Sequence, residues 1–254
     1  MKKNHTSALR VELYKGRHRH MLLVPLGFLL VLALWSGFSH RNLDSYDLSC
    51  GYARLFYQFP LLNCVLMPIM LSVIASRLCD MEIKGGTLKL LCTLEKKSSF
   101  YDLKFLHEAL YAMVFILGEG ICIPVLGQLF HFTEPLSLSL LLRHVLCLAL
   151  AAFPVLCLQH VLSLMAENQI APLFLGLAGS FLGLFSCFFS HRISRLILWG
   201  YFAAFLPYGL DYDSESRIST FYPVEFPTAT FILFTLFSLA FYIICRRIFL
   251  KKEV

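Results

Sequence analysis

Charge is scarce in this chain, and the usual signatures of catalysis and nucleotide binding are missing. Only 15% of its 254 residues are Asp, Glu, Lys or Arg, against 58% hydrophobic residues, and its mean hydropathy is +0.70. So little polar material cannot cover a soluble globule of this length, which makes the chain a polytopic membrane protein. No GxxxxGK(S/T) sequence occurs, so the chain has no P-loop with which to cradle a nucleotide phosphate. HExxH, GxSxG and the paired-glutamate pattern of intramembrane metalloproteases are also missing, and with them the common signatures of peptidases and esterases. Nine cysteines are present without a CxxC. Most lie in or beside apolar runs and only Cys50 falls clearly in a polar loop, so they read as small apolar fillers rather than a disulfide framework.

What is present is length and apolarity. About 20 apolar residues in a helix cross a hydrocarbon core of about 30 Å, and since lipid cannot satisfy broken backbone, runs of that length mean helices. Six runs qualify, near residues 21–38, 55–76, 105–126, 145–165, 170–189 and 228–245. No small-residue cleavage pattern follows Trp35, so the first run reads as an uncleaved helix rather than a signal peptide. With six crossings, 16 of the 22 Lys and Arg residues fall on the side of both termini and of residues 77–104; the other 6 are Arg41, Arg54, Arg143, Arg192, Arg195 and Arg217. The positive-inside rule then places both termini in the cytoplasm. Residues 195–210 are apolar and aromatic too, but a seventh crossing would carry the basic tail outside. They are expected to form a short interfacial or re-entrant helix on the outer face, with Trp199, Tyr201 and Tyr208 at headgroup depth and Pro207 and Gly209 ending it. The loop 211–227 after it is acidic, with Asp211, Asp213, Glu215 and Glu225 against Arg217 alone.

The expected fold is thus an all-α polytopic membrane protein, a single domain over residues 1–254 with no linker or low-complexity segment. Residues 77–104 form a charged, helix-capable island between two apolar runs, with basic and acidic residues mixed. Leu88, Leu91, Cys92 and Glu95 share one helical face there, and the mixture suits a protein partner better than nucleic acid. The island divides into a short helix around 87–94, a basic turn, and a capped third span in which Ser99 and Asp102 fit the S/T-x-x-D/E pattern. Residues 6–20 can form an amphipathic helix against lipid headgroups, or serve only as a basic flank that sets topology.

Polar residues at membrane depth are few. Glu119 falls near the middle of the third span in LGEG, where an unpaired carboxylate costs about 2.5–3.5 kcal/mol on insertion scales. Two readings stand. It contacts a cationic solute on a substrate path or forms a polar pair across a subunit interface, with Gly118 and Gly120 allowing close helix approach; or the span is shifted outward and Glu119 lies nearer the surface. His144 and His160 have no second ligand at matching spacing, so they read as core or interfacial histidines. No metal and no other cofactor is expected.

This layout resembles the permease subunits of type 2 ABC transporters, and especially the small permeases of bacterial lantibiotic and bacitracin self-protection exporters. The resemblance spans essentially the whole chain. In that family an amphipathic elbow precedes the first span, as residues 6–20 do here, and a coupling helix lies between the second and third spans. The coupling loop has an acidic residue, Gly-Thr, a basic residue with leucines, and a Lys entering the next span; Glu82, Gly86, Thr87, Lys89, Leu90, Leu91 and Lys104 occupy those places. An outer hairpin with a proline and aromatics before the last span is matched by Leu206, Pro207 and Tyr208, within an outer region 195–227. The proline that often follows the coupling leucines is replaced by Leu94-Glu95, which leaves the end of the coupling helix undefined.

The resemblance implies a multi-pass permease of the bacterial cytoplasmic membrane, not itself an enzyme. Two permease chains, identical or paired with a sister subunit, would bind a separate ABC ATPase through Glu82, Gly86, Thr87, Lys89, Leu90 and Leu91, and export a lantibiotic-like or other amphipathic peptide or antibiotic. Its partners are then an ATPase, a second permease and membrane lipid. The alternative is a membrane scaffold or sensor component that docks a cytosolic partner through the same loop without moving a solute.

Overall fold

Each of the six apolar runs is helical in the computed structural model of the chain, which describes residues 14, 20–41, 44–214 and 219–252. The helices are α1 (Leu23–Ser39), α2 (Ser45–Ser49), α3 (Gly51–Lys84), α4 (Thr87–Leu94), α5 (Lys97–Leu129), α6 (Leu138–Met165) and α7 (Ile170–Ser186). After them come α8 (His191–Ser194), a 3-10 turn Leu198–Gly200, α9 (Tyr201–Ala204), strands β1 (Tyr208–Tyr212) and β2 (Ser219–Pro223), and α10 (Thr228–Lys251). Four of these helices, α3, α5, α6 and α10, are long and apolar enough to cross a membrane; α1 and α7 are apolar but have only 17 residues each. The amphipathic segment expected over 6–20 lies outside the described residues except for Tyr14 and His20.

The charged island is more helical than expected. α3 continues to Lys84, helped by an Asp80–Lys84 pair at 2.8 Å with i,i+4 spacing, and α5 starts at Lys97. At 1.5 Å per residue both helices run about 50 Å, well beyond a hydrocarbon core of about 30 Å. Between their projecting ends sits α4, over the residues the sequence assigns to it. Gly86 makes the break possible: its φ of +63° is left-handed, a conformation that costs a residue with a Cβ about 1–2 kcal/mol. The expected cap at Ser99 does not form. α5 begins two residues earlier, after an extended Lys96, and Asp102 turns to α10, where it accepts from Arg246 Nε and Nη2 at 2.7 and 2.8 Å and from Tyr242 Oη at 2.7 Å.

α3 is the central helix, packed on α1, α5, α6 and α7. Phe56, Phe59, Cys64, Met67, Met70, Leu71, Ile74 and Leu78 along it are all buried, whereas α10 is peripheral and largely exposed. Proline interrupts the three inner helices, at Pro60 and Pro68 in α3, Pro124 in α5 and Pro154 in α6. One end of the bundle carries α2, the α5–α6 connection and the β-hairpin, tied by Thr133 N–H to Leu48 O (3.1 Å) and by the ring contact of Tyr57 with Phe221. At the other end lies α4, where Lys97 Nζ donates to Lys252 O (2.9 Å) and Lys252 Nζ donates to Leu164 O (3.0 Å).

Residues 195–210 are not one helix but the 3-10 turn, α9 and the start of β1. They fold back among the long helices. The Trp199 indole lies where a side chain on Gly179 of α7 would go, Tyr201 stacks on Phe234 of α10 with centroids 3.6 Å apart, and Phe202 and Phe205 are buried. Part of the acidic loop expected over 211–227 is an antiparallel strand pair in the register Tyr208↔Pro223 to Tyr212↔Ser219.

Candidate functional site

Two features stand out, a short helix held at one end of the bundle and a line of buried polar groups where α3, α5 and α6 meet. The short helix is α4, and its hold is chemical. Glu82, in the last turn of α3, is 3% exposed; one of its oxygens accepts from Thr87 Oγ1 at 2.5 Å and the other from Lys104 Nζ at 3.1 Å. Lys104 is fully buried. One carboxylate therefore joins the end of α3, the first residue of α4 and the second turn of α5. A buried pair of this kind is a weak net source of stability but expensive to break, at about 3–5 kcal/mol, so it fixes where α4 sits more than it strengthens the fold.

The two faces of α4 differ. Leu88 is buried, and Leu91 and Cys92 pack on the core; burial pushes the Cys92 thiol upward from its ordinary range, against the pull of Lys97 and Lys252. The face that the periodicity picks out therefore points inward. Outward stand Lys89, Leu90, Thr93 and Leu94, with Leu90 57% and Leu94 63% exposed. Of the residues that the sequence marks for coupling, Glu82 and Thr87 meet directly, Gly86 makes the turn, Lys89 and Leu90 face out, and Leu91 faces in.

Glu119 lies about 22 Å along α5 from Lys104, at 1.5 Å per residue. It is fully buried within the chain. Asn63 Nδ2 of α3 donates to both of its oxygens at 2.9 and 3.0 Å, and His144 Nε2 of α6 lies 2.6 Å from Oε1. Nearer α4, the same three helices bring together a second group. Glu108 Oε1 of α5 is 2.8 Å from His160 Nδ1 of α6 and accepts from Cys79 Sγ of α3 at 3.4 Å. All three residues are fully buried.

Sequence reasoning misses Asn63, Cys79 and Glu108. Glu108 sits inside the expected third span, and a second carboxylate in an apolar window is the signal that could have found it. No spacing rule links it to partners 29 and 52 residues away. His160 has a ligand-type neighbour after all, supplied by other helices.

At the strand end, a cleft of about 520 Å³ opens between α1, α2, α3 and the hairpin, with Asp44, Asp47, Arg54, Tyr57 and Gln58 in its lining. A family model described as ABC-2 family transporter protein matches residues 8–183, from before α1 through most of α7. No curated protein matches the chain.

Proposed function

Because the chain belongs to the ABC-2 family of transporter proteins, membrane permeases of ABC transporters, we propose that it is the membrane-spanning subunit of an ATP-driven exporter and that α4 is its coupling helix. The observation that carries this reading is the Glu82 carboxylate gripping Thr87 and Lys104, with Leu90 and Leu94 turned outward. A helix held by a buried ion pair to two long helices passes a push to both of them, and its exposed leucines offer an apolar contact to a motor. The motor in this reading is a separate ATPase, which the lack of a P-loop in these 254 residues supports. Its nucleotide-driven closure would move two permease chains between two packings as rigid bodies.

The chain crosses the bilayer six times in this reading. α1 and α7, at 17 residues, meet the lower limit of about 17–25 residues for a crossing helix. Both termini and α4 are cytoplasmic, with an amphipathic elbow over 6–20 before α1, and residues 195–227 cover the outer face. The second permease is a copy or a sister of this chain. The substrate class is an amphipathic peptide or antibiotic, lantibiotic-like, taken from the membrane; Glu119 with Asn63 and His144 would meet its cationic groups when the α3–α5–α6 seam opens.

The test is a pull-down of tagged chain from its native membrane, wild type beside a Leu90→Asp, Leu94→Asp variant. An ATPase recovered with wild type and lost with the variant, at equal chain abundance, is the expected result. If no nucleotide-binding protein accompanies either, the transport reading loses its motor, and a docking scaffold or sensor component takes its place.

A further inference from the structure

The group formed by Cys79, Glu108 and His160 is not used by the transport reading. We propose that it is a transition-metal site of the zinc class that ties α3, α5 and α6 together at the α4 end of the bundle. One ligand atom from each residue lies within 4.8 Å of the other two, and all three side chains are fully buried. The donor set is a thiol, a carboxyl and an imidazole, the types that zinc takes at about 2.0–2.3 Å in four-coordinate sites. Tetrahedral coordination at those lengths separates ligand atoms by roughly 3.3–3.7 Å. The Sγ–Oε1 distance of 3.4 Å already fits, and the Nδ1–Oε1 distance of 2.8 Å needs to open slightly.

A hydrogen-bonded cluster alone accounts poorly for what surrounds these atoms. Among the described residues, Glu108 Oε2 is buried without a hydrogen-bond partner, and the Tyr101 ring lies edge-on to His160 at 4.5 Å. A buried polar atom left in this way costs about 1–3 kcal/mol. A dication recruits the second carboxylate oxygen as a further donor. It also balances charge: on binding, the Cys79 thiol releases its proton and His160 presents Nδ1 as a lone pair, so thiolate, carboxylate, neutral imidazole and dication sum to zero. The adjacent Lys104–Glu82 pair is neutral in itself.

The placement gives the site a task. Cys79 is one turn of α3 before Glu82, and Glu108 is one turn of α5 after Lys104. A metal there adds α6 to the two helices that the Glu82–Lys104 pair already joins, so all three inner helices would move with α4. This inference stands apart from the identity of the motor or the cargo.

The experiment uses the full chain, purified with a tag that contains no histidine and loaded with Co²⁺ as the probe. A thiolate-to-cobalt charge-transfer band at roughly one metal per chain is expected. It should be lost in Cys79→Ser and kept in Glu225→Gln, and the Co²⁺ affinity should fall at least about tenfold in His160→Ala. Histidines elsewhere do not produce a thiolate band, so its absence from wild type, or its persistence in Cys79→Ser, overturns the proposal. Should the variants fail to fold, X-ray absorption of the Zn²⁺-loaded wild type decides: a shell with one sulfur supports the site, and a shell of nitrogen and oxygen alone rejects it.

Discussion

At Glu119 a carboxylate sits in the apolar middle of α5 with both oxygens engaged by Asn63 and one also facing His144. Replacing it with Gln swaps an acceptor for an amide N–H₂ that meets the N–H₂ of Asn63 or the ring of His144. Hydrogen bonds to a charged group are worth about 1.5–3 kcal/mol, so Glu119→Gln should lower the thermal midpoint measurably. On the proposed path it should also cut export of a cationic peptide while leaving ATPase recovery in the pull-down unchanged. Unchanged export in vesicles would remove Glu119 from the path without touching the permease reading. That this residue was visible in sequence at all is a matter of contrast, since a carboxylate within an apolar run is conspicuous. Its partners were not visible: Asn63 and His144 reach it from helices that come together only through the packing of α3 against α5 and α6.

Helix α4 was legible as an element because Gly85-Gly86 punctuates the chain and the leucines that follow keep helical spacing. Periodicity marks the face of Leu88, Leu91 and Cys92 but not its direction, because apolar residues occupy both faces; burial of Leu88 and the grip of Glu82 on Thr87 turn that face inward. The lengths of α3 and α5 were underestimated for a related reason. A hydropathy window stops at the charges Arg77, Asp80 and Glu82, while backbone hydrogen bonding continues through them. Strands β1 and β2 escaped notice because each has only five residues, and β1 contains Gly209 and Asp211 while β2 ends at Pro223, residue types that are depleted in strands. The grip itself can be tested through Cys92, whose half-buried position and raised thiol make it slow toward maleimide near neutral pH. Glu82→Gln leaves the buried Lys104 ammonium without that carboxylate, at about 3–5 kcal/mol. The variant should label several-fold faster at Cys92, and Glu82→Leu with Lys104→Met should restore slow labelling. Equal rates in all three would mean that α4 is held by its leucines alone.

For the molecule as a whole, the sequence conveyed that the six apolar runs are helical, since periodicity is local. It did not convey the central position of α3, which follows from burial against four neighbours. In the proposed six-crossing reading, α4 and the end of α10 lie on one side of the membrane and the β-hairpin on the other. A membrane-impermeant maleimide applied to intact cells should therefore label Tyr212→Cys and spare Lys89→Cys, each made in a background without the native cysteines; the reverse pattern would invert the proposed orientation. The prolines of the inner helices bear on how such a bundle deforms. Pro68 lies between Asn63 and Cys79 on α3, and Pro154 between His144 and His160 on α6, whereas no proline separates Glu108 from Glu119 on α5. Proline removes a rung of the backbone hydrogen-bond ladder. Between the two polar knots, α3 and α6 are thus compliant where α5 is stiff, so a load arriving at α4 would flex two helices around a third that acts as a strut.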